Sequence, residues 1–195
     1  MTKKNLLFMI LVVALLWSDT PKMFSLLPPP EEQILEIPAC GLTLNKQEFS
    51  AIGLRLTLAN PQEICDTFYL ALVVYREARG ETLAGKAGVA HTVLNRVKRG
   101  GWWGSAIDEV ITKPYQFSSL TDPKDPQLTK WPKLSNPSWQ NCLQCAIECL
   151  NGTIGDPTGG ATHYFDDSIT APKWVDQDAK YKGKIGRLNF YQRTA

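Results

Sequence analysis

Between Asn60 and Ala78 apolar side chains recur at Ile64, Phe68, Ala71, Leu72 and Tyr75, the spacing of one buried helix face. Asn60-Pro61-Gln62-Glu63 supplies a capping side chain, a proline at the first helical position and a glutamate at the third, which starts that helix. Gly80 ends it, and Thr82 or Glu81 caps a second helix that runs to Lys98 with Ala87, Ala90, Val93, Leu94 and Val97 turned inward. The two make a hairpin. Ser105-Ala106-Ile107-Asp108 opens a short helix to Thr112, stopped by Lys113-Pro114, and the prolines of residues 119–138 predict a surface excursion. Helical spacing returns from Trp139 to Leu150, with Trp139, Leu143, Ala146 and Leu150 as its core stripe. Gly159-Gly160 then leads into a strand with Ala161, His163 and Phe165 on one face and Thr162 and Tyr164 on the other. Only one of His163 and Tyr164 therefore faces a given cleft, unless the strand is bulged or ends there.

The first sixty residues follow a different pattern. Lys3-Lys4 precede the apolar stretch Leu6 to Trp17, which suits a signal-peptide core or short anchor, and its positive flank leaves the body of the chain outside the cytoplasm. Ser18-Asp19-Thr20-Pro21 offers no small-x-small cleavage site, so removed signal and retained anchor both stay open. Residues 18–38, with Pro28-Pro29-Pro30 and Pro38, read as a Pro-rich tether after an N-terminal segment of residues 1–17. The remaining 39–195 read as one domain, entered through Leu42, Leu44, Leu54, Leu56 and Leu58, which alternate in places as strands do or form an irregular lead-in. The expected location is the periplasm or cell envelope, with residues 5–17 as the possible tie to the inner membrane.

Composition narrows the function. The 195 residues carry a net charge of +2 with no dense basic patch, which argues against nucleic acid as a partner. Cys142, Cys145 and Cys149 share one side of their helix, but a metal site wants a fourth ligand and the chain has two histidines; buried thiols, or disulfides to Cys40 and Cys65, are the alternatives. The expectation is no metal and no cofactor.

Tyr75-Arg76-Glu77-Ala78-Arg79-Gly80-Glu81 is the segment with the most chemistry. It sets a carboxylate at the end of an apolar helix, three and four residues after Val74 and Val73. Apolar surroundings disfavour the charged form of a carboxyl group, whereas a nearby guanidinium favours it, and the directions of Arg76 and Arg79 decide between these effects. A protonated carboxyl at a cleft edge is what glycosidic-bond cleavage requires.

Four separated blocks carry a resemblance: Tyr75 to Gly85, Val89-Ala90 with Val93 to Val97, Gln116-Phe117-Ser118, and Gly160 to Phe165. Over residues 64 to 191 their order and spacing resemble the catalytic domain of the cell-wall hydrolase family of the spore cortex-lytic enzyme type. The resemblance implies a mainly helical, lysozyme-like α+β domain with a small antiparallel sheet. It also implies action on the glycan strands of peptidoglycan, with Glu77 as catalytic acid. Three positions depart from the pattern: Arg76 stands where glycine is usual, Gly88 where alanine is usual, and Leu188 where histidine is expected.

The remaining candidates sort around Glu77. Gln116 can donate to and accept from sugar hydroxyl or N-acetyl groups, and Trp102 and Trp103 offer rings that cover sugar faces or fill the core. His163 and Tyr164 hold substrate, orient Glu77, or are core residues; Trp174 is a further platform. Glu81 is a second carboxylate or a helix cap. Arg79, Gly80, Asn95 and Arg96 are expected to support the site, and His91 to be structural. The expected reaction cleaves the β-1,4 bond between N-acetylmuramic acid and N-acetylglucosamine, with closure of a 1,6-anhydro ring as in lytic transglycosylases. The alternatives are a lysozyme-type hydrolase assisted by Glu81, and a non-catalytic wall-binding protein, which Arg76 and Leu188 favour.

Overall fold

The computed structural model describes residues 35–37, 42–44, 61–133 and 135–193, and the chain divides into two units at Cys65 and Asp66. In the first, β1 (Leu35–Ile37) pairs antiparallel with β2 (Leu42–Leu44), Leu35 opposite Leu44 and Ile37 opposite Leu42. Residues 35–37, expected as the end of the tether, are thus a strand. Leu35-Glu36-Ile37 alternates with the period of two that the neighbouring prolines obscured. Residues 1–17, the rest of the tether, Asn60, and the leucines at 54, 56 and 58 lie outside the described residues.

The second unit is a helical body with a three-stranded sheet. Helix α1 (Pro61–Ala78) buries Phe68, Ala71 and Leu72 as its spacing predicts, together with Leu70, Val73 and Val74. The turn after it is closed by the Glu81 amide donating to the Ala78 carbonyl at 2.9 Å. Of the two caps the sequence allowed for α2 (Leu83–Arg99), Thr82 is the one used: its hydroxyl accepts from the Gly85 amide at 3.2 Å. Ala87, Ala90 and Val93 are buried as expected, while Leu94 and Val97 are half-buried and Val89, Thr92 and Arg96 go inside instead. That pattern belongs to a helix flanked on several sides. It packs against the short α3 (Ile107–Thr112), which the single turn α4 (Ser118–Thr121) follows, against α5 (Pro137–Leu150) and against the sheet.

In α5 the stripe is rotated from the expected one. Trp139 and Ala146 are buried, but Cys142, Cys145 and Cys149 fill the core while Leu143 is half-buried and Leu150 exposed. Small apolar thiols pack there as core residues do. All three are free cysteines, whereas Cys65 is disulfide-bonded, so the disulfides considered for the helix are not made. Trp139 stands edge-on to Phe68 at 5.6 Å and to Tyr75 at 5.8 Å, which fixes α5 against α1.

The sheet orders β3 (His163–Asp166), β5 (Leu188–Arg193) and β4 (Ala179–Ile185) with β5 in the middle, all antiparallel. Phe190 of β5 is fully buried and meets α2 at Gly88, where an added Cβ would lie 2.6 Å from its ring. Glycine at this position is the complement of a large aromatic, which explains the departure from the usual alanine. Leu188, in the place where histidine was expected, is 2 % exposed and belongs to the core. Among the described residues no helix is long and apolar enough to cross a membrane.

Candidate active site

One cavity of about 580 Å³ gathers residues from segments far apart in the chain: Glu77 at the end of α1, Arg96 on α2, Trp102 and Trp103 before α3, Tyr115, Gln116 and Phe117 after it, His163 and Tyr164 on β3, Trp174, and Arg193 on β5. That volume suits a small-molecule or oligomer subsite. Two helix side chains hold the strand in place: Asn95 Nδ2 donates to the Ala161 carbonyl at 2.9 Å, and Arg96 Nε to the Thr162 carbonyl at 2.8 Å. Asn95 also donates to Asp156, whose carboxylate accepts the Thr158 and Gly160 amides and so shapes the glycine turn ahead of β3. Asn95 and Arg96 thus tie α2 to the segment that leads into β3. His91 Nε2 donates to the Ile154 carbonyl, 2.9 Å away, which is a structural tie.

Glu77 is half-buried and held at both oxygens. The Ser119 hydroxyl donates to Oε1 at 2.7 Å and the Tyr164 hydroxyl to Oε2 at 3.2 Å. The apolar setting expected from Val73 and Val74 is real for the helix behind it, since both are fully buried, but the carboxyl group itself meets two hydroxyls. A hydroxyl donates to a carboxylate and accepts from a carboxylic acid, so this pair of contacts serves either form. Burial of its phenol, with the Glu77 carboxylate opposite, raises the Tyr164 pKa well above its ordinary value and keeps it a donor.

The flanking arginines turn elsewhere. Arg76 is buried and donates to the carbonyls of Ser119 (2.5 Å), Lys130 (3.3 Å) and Leu128 (3.4 Å), while Arg79 is exposed, stacks on Tyr75 and donates to Gln127 Oε1 at 3.2 Å. Neither forms an ion pair with Glu77. Arg96 supplies the nearby positive charge: burial lowers its pKa to about 10, against the pull of Tyr164 and Glu77, and it remains a cation at neutral pH. Its guanidinium lies over the rings of Trp103 at 4.5 Å and Phe117 at 5.0 Å.

The two tryptophans divide. Trp103 is 3 % exposed and forms the inner wall, whereas Trp102 is 54 % exposed on the rim, with the Lys113 ammonium over its ring. Gln116 lines the cavity next to Tyr115, which is 98 % exposed and sits at φ 66°, an unusual backbone conformation for an aromatic residue. Glu81 does not line the cavity. Its carboxylate faces the β4–β5 turn, 3.6 Å from the Arg187 guanidinium and against Gly186, whose φ of 59° and contact with Glu81 leave no room for a Cβ. Gly80 likewise serves the helix turn and not the cavity wall. Ser119 was invisible in the sequence because nothing marks it apart from Ser118; only the fold brings it to Glu77.

Both His163 and Tyr164 reach the cavity, because His163 is the first residue of β3 and sits at the sheet's end. Its ring packs between Trp103 (5.3 Å) and Trp174 (5.0 Å), and its Nδ1 is 3.0 Å from the Thr162 hydroxyl. Burial, together with the charges of Arg96, Arg193 and Arg99, lowers its pKa to about 3 from 6.5. A depressed histidine binds its proton more readily in the unfolded chain. The contribution to stability is therefore complete above pH ~6.5 and is lost as the pH falls from there towards 3. Urea unfolding of the parent is expected to weaken across that window, and His163→Gln to flatten the slope; equal slopes would remove His163 from the acid response.

The geometry can be compared with known proteins. A family model described as Cell Wall Hydrolase matches residues 80–191. The spore cortex-lytic enzyme of Bacillus cereus is 30 % identical over 125 residues, covering 64 % of this chain and 43 % of that protein. That of Halalkalibacterium halodurans is 31 % identical over 125 residues, covering 64 % and 34 %. The chain spans less than half the length of these curated relatives. Among solved structures it resembles the catalytic domain of the Bacillus cereus SleB protein (TM-score 0.53, 29 % identity, 65 % of this chain and 89 % of that one). It also resembles the catalytic domain of the germination-specific lytic transglycosylase SleB from Bacillus anthracis (TM-score 0.53, 29 % identity, 65 % and 93 %). Nearly the whole of each solved domain is thus matched.

Proposed function

Given that the chain belongs to the Cell Wall Hydrolase family, we propose that it degrades peptidoglycan by cleaving the β-1,4 bond between N-acetylmuramic acid and N-acetylglucosamine as a lytic transglycosylase, with Glu77 as acid and then base. Glu77 gives its proton to the glycosidic oxygen as the C1–O bond breaks. Positive charge develops at C1 of the muramic residue. The Glu77 carboxylate then takes the proton of that residue's C6 hydroxyl, whose oxygen bonds to C1 and closes the 1,6-anhydro ring, so no water is consumed.

The observation that carries this reading is that Glu77 is the one carboxylate among the described residues lining the cavity, with Glu81 turned away to Arg187. Retaining and inverting hydrolases need a second carboxylate beside the scissile bond, as nucleophile or as base for water. A single carboxylate suffices when the substrate's own hydroxyl attacks. Mass spectrometry of products from purified sacculi tests this: 1,6-anhydro ends, lighter by one water, support it, and reducing ends establish the hydrolase.

Around Glu77 the roles follow from the contacts. Tyr164 and Ser119 fix the carboxyl group, Arg96 offsets its charge after proton transfer, Trp103 backs the cavity wall, and Trp102 and Gln116 receive sugar faces and N-acetyl groups. Removing the phenol hydroxyl by Tyr164→Phe is expected to lower kcat about ten- to hundredfold with little change in KM, the rate equivalent of one hydrogen bond to a charged group. Steady-state kinetics on soluble glycan strands measures the split. The substrate lies outside the cytoplasm, in keeping with the exported location expected from Lys3-Lys4 and the apolar segment behind them.

A further inference from the structure

The cavity has an electrostatic imbalance that acid chemistry at Glu77 does not use. At its sheet end lie Arg96 and Arg193, with Arg99 beside them, and Glu77 is the only acidic lining residue among those described. Arg193 is fixed through its backbone: its amide donates to the Thr162 hydroxyl at 3.0 Å, and its carbonyl accepts from Arg99 Nη1 at 2.6 Å. Its side chain lines the cavity near His163, close enough for its charge to act on the imidazole. Among the described residues no carboxylate pairs with it, and its buried Nε has no hydrogen-bond partner. Arg96, 5 % exposed, likewise keeps a buried Nη1 without one.

Buried guanidinium N–H groups are costly to leave unsatisfied, and the planar guanidinium fork matches a carboxylate. His163 stays neutral here, so the cations of this end are the arginines.

We propose that Arg193, supported by Arg96, binds a carboxylate of the substrate and so positions the glycan in the cavity. The inference rests on the peptidoglycan reading above. Two sources offer that group: the lactyl carboxylate of a muramic residue stripped of its stem peptide, and the carboxylates of the stem itself. Arg193 is a positioning residue, since it acts on binding and not on the scissile bond.

Binding calorimetry of the full chain, run in parallel with cleavage assays, separates the possibilities. The ligands are glycan strands freed of stem peptides, the same strands with the lactyl carboxylates converted to neutral methylamides, and strands with stems intact, before and after amidation. Arg193→Gln is expected to weaken binding to free-carboxylate strands about tenfold or more and to leave neutral strands unaffected, with Arg193→Lys intermediate. The backbone contacts of residue 193 survive either exchange. A penalty on stripped strands assigns the lactyl group; one confined to stemmed strands and removed by amidation assigns the stem. An equal effect on charged and neutral strands, or none on any, overturns the proposal. Wild-type cleavage with carboxylate-independent binding sinks this inference alone, whereas carboxylate- and Arg193-dependent binding without cleavage sinks the peptidoglycan-cleaving reading alone.

Discussion

Glu77→Gln is expected to lower the rate of glycan cleavage by about 10²–10⁴-fold, the usual contribution of a positioned acid–base group. The amide keeps the volume of the side chain and can still accept a hydrogen bond from Ser119 or Tyr164, so the fold should be retained and the thermal midpoint should move little. It can neither give a proton to the glycosidic oxygen nor take one from the C6 hydroxyl. Both steps fall to the same group, so no partial activity survives through the second. Turbidity clearing of purified sacculi, with circular dichroism as the control, decides the matter. Equal clearing by mutant and parent would leave a wall-binding protein as the better description.

Arg76→Ala is the change with the largest expected effect on stability. The guanidinium joins the end of α1 to three carbonyls across the 119–130 segment, and removing it leaves those carbonyls short of their donors in a partly buried place. A loss of about 2–4 kcal/mol is expected, seen as a lowered denaturant midpoint. The same change loosens Ser119, whose carbonyl accepts from Arg76 and whose hydroxyl donates to Glu77, so kcat should fall as well. Ser119→Ala separates the two effects, since it removes the contact to Glu77 and leaves the bridge. A stable Arg76→Ala protein with unchanged kcat would refute the linkage. Arg76 first looked like a departure that weakens the catalytic reading; its contacts make it a brace for Ser119, which holds Glu77.

The helices were legible because their apolar spacing answers to local geometry alone, and Pro61 and Thr82 mark starts that the structure uses, while the helix expected from Trp139 begins two residues earlier at Pro137. Where the reading slipped, longer-range packing had the deciding voice. The core stripe of α5 was placed on Leu143 and Leu150, and the cysteines, which the sequence left between buried thiols and disulfides, fill the core as free thiols. Glu81 was weighed as a second carboxylate or a cap, but Thr82 takes the cap and the β4–β5 turn takes the carboxylate. Leu35 and Ile37 were hidden among prolines. Within the site, Glu77, Gln116, Tyr164 and Arg96 stood out in the sequence, whereas Ser119, Tyr115 and Arg193 did not. Their importance comes from contacts or placements across 42 residues or more in the case of Ser119, and from a backbone conformation in the case of Tyr115. No pattern along the chain encodes either.

The central position of β5 has a consequence for when the cavity is assembled. Both other strands pair with it, and it is the last strand in the order of synthesis, so β3 has no partner until Leu188 to Arg193 arrive. Tyr164 cannot be presented to Glu77 by an unpaired strand. A nascent or clipped chain lacking those six residues therefore has no partner for β3, and the Tyr164 wall of the cavity forms only with the final stitch of the sheet.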